Sequence, residues 1–218
     1  MPRRLTVVVA AGLVLAGCAE FRDLVAPRRT DVAAIAAIAP AAGRSAEETE
    51  AVHTIETLAD RVGALLGERG LAKPARAERL RALLGRAIDI PLIARFTLGE
   101  HWRSATPAQR AAYLEAFTGF ILTSYSRQIG GAAVTDFAVA GATTTGRGDV
   151  MVESRIGRAN GGPVSAVWRL RKRDGAFRII DLAVGGVSLA LTRRQEFAAV
   201  LRAGDLDGLI ARLRDHAA

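Results

Sequence analysis

Residues 164–188 carry the sequence VSAVWRLRKRDGAFRIIDLAVGGVS, and this stretch decides the fold. Apolar and polar side chains alternate from Val164 to Arg171, which is the period-two pattern of a strand with one buried face. Asp174-Gly175 is typical of a two-residue type I′ hairpin turn, and Phe177–Leu182 follows as a second strand. Because the apolar face of such a hairpin needs a cover, we expect helices elsewhere in the chain to pack on it.

The sequence on both sides of this hairpin supplies two more strands and a set of helices. Val134–Ala140 and Asp149–Ile156 have strand patterns bounded by turn residues. The predicted helices run over Val52–Leu66, Pro74–Ala87, Ile93–Leu98 after the cap Asp89, Thr106–Ile129, Ser188–Arg202, and onward from Asp205. The sequence therefore predicts an α+β fold in which helices cover a four-stranded antiparallel curved sheet.

The first eighteen residues have the order of a bacterial lipoprotein signal. Two arginines precede an apolar run over residues 5–15, which is too short to span a bilayer. The run ends in Leu15-Ala16-Gly17-Cys18, which resembles a lipobox, and Cys18 is the sole cysteine of the chain. We predict a periplasmic protein tethered through lipidated Cys18, with the outer membrane favoured because residue 19 is not aspartate. Cleavage after Ala19, which leaves a soluble periplasmic protein, is the alternative.

The segment that follows has the composition of a linker. Residues 19–50 are rich in alanine and contain Pro27, Pro40 and Gly43. The predicted organisation is a signal peptide over residues 1–18, a linker over residues 19–50 and one folded domain over residues 51–216, which we expect to be a monomer.

Arginine dominates the charge of the chain. The formal net charge is +8, and the chain contains two lysines, Lys73 and Lys172. Arg169, Arg171 and Arg173 gather on the polar face and turn of the hairpin, where they are either solvated or dock an acidic partner or anionic lipid headgroups. A nucleic-acid interface is not expected, because aromatic side chains are not interleaved with these arginines and the chain carries an export signal.

No metal site and no catalytic group is predicted. The three histidines are far apart in the sequence: His53, His101 and His216. Ser188 lies outside any G-x-S-x-G context and is interpreted as a helix cap. Asp181, at a strand end, is interpreted as a backbone cap.

Three blocks of the sequence resemble one family. The blocks are Gly99–Tyr113 (GEHWRSATPAQRAAY), Asp181–Leu189 (DLAVGGVSL) and Gly204–Leu209 (GDLDGL). In this order and spacing they resemble the MlaC or toluene-tolerance family of periplasmic phospholipid-binding proteins, which are auxiliary components of ABC transporters. The resemblance extends over about Val52–Leu213.

The resemblance implies a fold akin to the nuclear-transport-factor-like cone, with the acyl chains of a phospholipid between sheet and helices and no cofactor besides this cargo. It implies a non-enzymatic carrier that serves outer-membrane lipid asymmetry. The implied partners are an inner-membrane ABC transporter with an MCE domain and an outer-membrane lipoprotein–porin complex. A hopanoid-linked branch shares the motifs, so a hopanoid is an alternative cargo. Typical members have an ordinary signal peptide, and the lipobox departs from that pattern.

Strand alternation and helical phase predict which side chains line the apolar cavity. They are Phe96, Phe117, Ile121, Tyr125, Val150, Val152, Trp168 and Ile180. Two other functions stay open at this point. A lipoprotein enzyme using the same cavity would need a carboxyl group with a raised pKa there. A structural lipoprotein would have a filled core and no ligand.

Overall fold

The structure, a computed structural model, describes residues 43–131, 134–159 and 161–217. The predicted signal peptide, Cys18 and the linker up to residue 42 lie outside these residues. The helices and strands of the described residues are, in chain order, α1 Ala46–Gly67, α2 Lys73–Ala87, α3 Ile90–Leu98, α4 His101–Ser104, α5 Pro107–Gly131, β1 Val134–Thr144, β2 Val150–Arg158, β3 Val164–Arg173, β4 Ala176–Val184, β5 Val187–Ser188, α6 Leu189–Ala203 and α7 Leu206–Ala217.

The strands form one open antiparallel sheet in the order β1-β2-β3-β4-β5. The turn predicted at Asp174-Gly175 is present, and the φ angles of its two residues, 51° and 80°, are both positive, as a type I′ turn requires. The four predicted strands are confirmed, and the two-residue strand β5 is added after the Gly185-Gly186 turn. Bulges in β1 and at Ile180 in β4 interrupt the register and bend the sheet.

The folded domain starts earlier than residue 51, because α1 begins at Ala46. Ser45 and Glu48 form a capping box at its N-terminus. Glu48 also accepts hydrogen bonds from the backbone N (2.9 Å) and Oγ1 (3.1 Å) of Thr144 at the end of β1. Glu50 pairs with Lys172 at 2.6 Å. These contacts fasten the start of α1 to one end of the sheet.

The core lies between one face of the sheet and the helices. Helix α1 packs across β1 and β2, whereas α5 packs mainly on α7, α2 and α3. An aromatic cluster joins α5 to α6, with ring centroids between 5.7 Å and 6.4 Å apart; its members are Tyr113, Phe117, Phe120 and Phe197. The hydroxyl of buried Tyr113 lies 2.9 Å from Oγ1 of Thr97, so this polar group has a partner inside the core.

Asp181 joins β4 to the start of α6. Its Oδ1 accepts hydrogen bonds from the backbone N of Leu182 (2.8 Å) and of Ala190 (3.1 Å), and its Oδ2 accepts one from Ser188 Oγ at 2.6 Å. Ser188 Oγ in turn accepts from the backbone N of Leu191 at 3.1 Å. The predicted capping roles of Asp181 and Ser188 are both confirmed, and α6 is fixed to the sheet by this carboxylate.

We expect Asp181→Ala to lower the free energy of unfolding by about 2–3 kcal/mol, because it removes three hydrogen bonds of about 1 kcal/mol each. The matched control is Asp205→Ala, which removes a cap in which Asp205 Oδ1 accepts from the backbone N of Gly208 at 2.7 Å. This control should cost about 1 kcal/mol. Urea denaturation followed by circular dichroism measures both, and equal losses would contradict the joint described here.

Candidate functional site

The larger apolar side chains on the inner face of the sheet are fully buried at one end and partly exposed at the other, where the smaller Ser154 and Ala166 stay buried. At the closed end, Val150, Val152 and Leu170 are fully buried, with 0% exposure each. Toward the other end the same face carries half-buried side chains, which we call the mouth residues: Phe137, Val139, Ile156, Val164, Trp168, Leu182 and Val184. Their pairing across four strands places them on one surface. An apolar face that the fold leaves partly uncovered is typical of a ligand site.

Helix α5 ends at Gly131, shortly before β1 begins at the mouth end of the sheet, and its C-terminal half carries three partly buried apolar side chains. Leu122, Tyr125 and Ile129 are half-buried and pack against the core. Desolvation raises the pKa of Tyr125 to about 12, with Asp181 and Glu196 adding to the rise and Arg193 opposing it. The neutral phenol is therefore the form of Tyr125 present at neutral pH.

The indole ring of Trp168 presents an apolar surface, because its polar atom is hydrogen-bonded. Its Nε1 donates a hydrogen bond to Ser154 Oγ at 2.8 Å, and Ser154 is itself buried on the neighbouring strand β2. The polar atom of the indole is therefore satisfied inside the sheet, which leaves the ring to contact an apolar ligand.

The structure places five of the eight predicted wall residues along this apolar face and its cover. Val150 and Val152 form its floor at the closed end, and Ile121 is buried in the core. Trp168 lies at the mouth on the sheet side, and Tyr125 lies on the helix side.

The other three predicted wall residues lie away from this face in the structure. Phe96 is 41% exposed on the outside of α3, because the inward positions of that short helix are taken by its buried neighbours. Phe117 faces α6 in the aromatic cluster. Ile180 is the extra residue of the β4 bulge, and the buried positions of that strand belong to Phe177 and Ile179.

Sequence reasoning missed most of the mouth residues, although the signal was available. Val164 belongs to the alternation that predicted the hairpin, and Ile156 ends the second predicted strand. Both share the inner face with Trp168, since Ile156 pairs with Val164. Their partial exposure, which marks the mouth, depends on where the helices stop covering the sheet and is not encoded in the alternation.

Two of the three arginines predicted for docking are engaged within the protein. Arg169 Nε donates to Asp149 Oδ2 at 2.8 Å, and Arg171 Nε donates to Asp149 Oδ1 at 2.6 Å. The Asp149 side chain is 0% exposed, whereas the two arginine side chains are 36% and 37% exposed. Arg173 lies 3.7 Å from Asp89 and is the most exposed of the three arginines. Arg169 and Arg171 therefore form a structural ion cluster with Asp149, and their role in docking stays a prediction.

Opposing effects act on the Asp149 carboxyl. Burial alone would raise its pKa, but the hydrogen bonds and charges of Arg171 and Arg169 together outweigh burial and lower the pKa. The carboxylate also raises the pKa of Arg171. This cluster lies on the face of the sheet opposite the mouth residues, because the odd-numbered residues of β3 point away from the helices.

A separate small pocket lies between α5, α6 and α7. It has a volume of about 50 Å³ and is lined by Phe120, Arg193, Glu196, Phe197, Val200, Leu209, Arg212, Leu213 and His216. A space of this size holds a few water molecules and is far too small for an acyl chain. Within the described residues, no three His, Cys, Asp or Glu side chains are grouped to hold a metal ion. The helices of that part of the chain include none with the length and apolar character needed to cross a membrane.

The fold is thus an α+β domain with an open, curved antiparallel sheet whose apolar face is accessible from one end. The family model described as MlaC protein matches residues 56–215, and the chain belongs to this family. A solved structure of the phospholipid-binding protein from Ralstonia solanacearum, in complex with a phospholipid, is similar at 20% sequence identity. The match covers 78% of this chain and 96% of that chain with a TM-score of 0.57. The likeness at this identity concerns the fold and confirms the predicted fold class. The match to the family model confirms the predicted family.

The Asp149 cluster generates a pH-dependent prediction. The pKa of Asp149 is lower in the folded than in the unfolded chain, so its charge stabilises the fold above a pH of about 4. This stabilisation is lost as the pH falls further, through the folded-state pKa. We expect Asp149→Asn to lower the free energy of unfolding by about 2–4 kcal/mol at pH 7. This is less than a fully buried ion pair would lose, because both guanidinium groups are partly solvated.

The difference in unfolding free energy between this variant and the native chain should shrink as the pH falls from 5 to 3. Urea denaturation at each pH measures it. The control is Glu68→Gln, whose pair with Arg79 is about half exposed on both sides and should contribute less than about 1 kcal/mol. A gap that stays constant down to pH 3 would contradict the role given to the Asp149 charge.

Proposed function

We propose that this chain is a carrier that binds a phospholipid by its acyl chains between the mouth residues and α5. The observation that carries the proposal is the inner face of the sheet, which is fully buried at Val150 and Leu170 and partly exposed at Val164 and Val184. Membership of the MlaC family and the phospholipid complex of the similar Ralstonia solanacearum protein support the same assignment.

The chemistry of the walls sets what such a carrier recognises. Burying acyl chains contributes about 0.8 kcal/mol per CH₂ group, so a two-chain lipid leaves slowly unless a partner opens the site. Apolar walls distinguish chain length poorly and leave the headgroup at the mouth. The neutral phenol of Tyr125 there is able to donate a hydrogen bond to a phosphate oxygen without adding charge.

Space for the cargo comes from separating α5 from the sheet at the mouth. The apolar side chains at the mouth are only partly buried. At the closed end, hydrogen bonds and an ion pair of Glu48 and Glu50 hold the start of α1 on the sheet. Moving the mouth apart therefore leaves these polar contacts intact. The partners that would drive this opening are an inner-membrane ABC transporter with an MCE domain and an outer-membrane lipoprotein–porin complex.

The carrier would work in the periplasm as a monomer, tethered through lipidated Cys18. In this arrangement it loads and unloads close to the membrane that holds its anchor. An enzyme in the same site would need a carboxyl group with a raised pKa at the mouth. The buried carboxyl group of Asp149 has a lowered pKa and lies on the opposite face of the sheet, so it does not favour that alternative.

Native mass spectrometry tests the cargo directly. The chain lacking residues 1–18, exported to the periplasm by a cleavable signal peptide, should retain one two-chain phospholipid after purification without detergent. Lipid extraction then identifies the headgroup and chains. A hopanoid in its place would replace the proposed cargo, and a small metabolite or an empty protein would overturn the carrier assignment.

A substitution at the mouth should separate binding from folding. Trp168→Glu places a charge on the proposed wall and should empty the site, because the charge would lose its water. The control is Val167→Glu, which adds the same charge on the opposite face of the same strand. Val184→Glu at the edge of the mouth provides a second test variant should Trp168→Glu fold poorly. Equal lipid retention in test and control variants that remain folded would place the cargo elsewhere.

A further inference from the structure

Three large apolar side chains are exposed at the β5 edge of the sheet and on the two helices beside it. Phe96 on α3, Val187 on β5 and Leu191 on α6 are 41%, 36% and 47% exposed, and we call them the rim patch. We propose that the rim patch, with Arg95 and Arg194, is the surface by which the domain contacts an anionic phospholipid bilayer.

Strand pairing connects the rim patch to the mouth. Val187 pairs directly with Val184, which is a mouth residue at the end of β4. Paired residues of antiparallel strands share a face, so Val187 extends the apolar inner face by one strand. A bilayer in contact with Val187 is therefore adjacent to the apolar surface that acyl chains would enter.

An arginine links the other two members of the patch. The guanidinium carbon of Arg194 lies 5.0 Å from the centroid of the Phe96 ring, and its Nη1 donates to the backbone O of Phe96 at 3.3 Å. Leu191 lies three residues before Arg194 on α6, on the same side of the helix. Arg95 precedes Phe96 and is exposed as well. Phenylalanine, leucine and arginine together are the side chains typical of proteins that insert shallowly at a membrane surface.

Size and charge favour a bilayer over a protein partner. A stable protein interface has about 20–30 residues on each side, and a patch of three apolar side chains suits shallow insertion better. Exposed arginines beside the patch are attracted to the negative surface potential of anionic lipids, and the whole chain has a net charge of +8.

An environment-sensitive fluorophore at residue 191 tests the contact. Because Cys18 is the sole cysteine, Cys18→Ser with Leu191→Cys gives a full chain with one labelling site. The chain is reconstituted into vesicles of phosphatidylcholine with 30 mol% phosphatidylglycerol. Its N-terminal apolar run is the same in every variant, so the label reports the local contact of the domain and not attachment of the chain. We expect a blue shift of the emission and quenching by spin-labelled lipids.

The matched control places the label at Ala176, which is exposed at the start of β4 beside the turn at the closed end of the sheet. This label should show neither effect. No response at 191, or an equal response at 176, overturns the proposal. A response at 191 that appears with an added protein in place of vesicles reassigns the patch to a protein partner.

Two further variants test the chemistry of the patch. Phe96→Ser should reduce the quenching at residue 191 at least threefold, since one inserted side chain of this size changes partitioning by about tenfold. Arg194→Gln should abolish the preference for anionic over pure phosphatidylcholine vesicles, whereas Arg194→Lys should keep it. An equal response in pure phosphatidylcholine vesicles overturns the choice of an anionic surface.

The proposed membrane contact serves lipid transfer and so rests on the proposed function, but the two proposals can be overturned by different results. Phe96→Ser should retain its phospholipid cargo by mass spectrometry and lose the vesicle contact reported by the label at residue 191. Absence of cargo from the native chain, together with vesicle contact at residue 191, would overturn the carrier and leave the membrane surface standing.

Discussion

The structure depends on one constraint, which is that the apolar face of an open antiparallel sheet must be covered by helices. Here the cover is complete at one end of the sheet and incomplete at the other. Burial of Val150, Val152 and Leu170 gives the domain its core, since each fully buried aliphatic side chain contributes about 1.5–3 kcal/mol. The same face, continued to Val164 and Val184, gives it an accessible apolar wall.

One set of polar contacts lies at the closed end, whereas the Asp181 joint fixes α6 to β4 near the mouth. Glu48 holds Thr144, Lys172 pairs with Glu50, and Asp149 is buried beneath Arg169 and Arg171. A displacement that widens the mouth therefore costs half-buried apolar contacts and leaves these ion pairs unbroken. A buried carboxylate also rigidifies the hairpin that carries Trp168, because it connects the start of β2 to β3.

The elements were predictable from the sequence because their signals are local. The Asp174-Gly175 turn and the Thr106 capping box each fixed a boundary within a few residues. The wall residues were less predictable because they depend on tertiary contacts. The apolar residues of α5 cover a wide arc of the helix and pack on more than one neighbouring element. The helical phase alone therefore did not show that Phe117 faces α6. The bulge at Ile180 shifted the alternation of β4 by one residue. The Asp149 cluster joins residues 20 and 22 positions apart, and no local pattern announces it.

The position of α1 gives the predicted tether a geometric meaning. The domain begins at Ser45, and α1 starts at the closed end of the sheet, away from the mouth. A chain attached there without a spacer would point its mouth away from its own membrane. Helix α1, with 22 residues, is about 33 Å long. A chain of about 26 residues, the number from residue 19 to residue 44, would have an r.m.s. span of about 28 Å as a random coil and about 90 Å at full extension. Under the proposed tether, this length would let the mouth turn toward the anchoring membrane or away from it. The proposed loading and delivery would then require rotation of the domain on its tether and no diffusion between membranes.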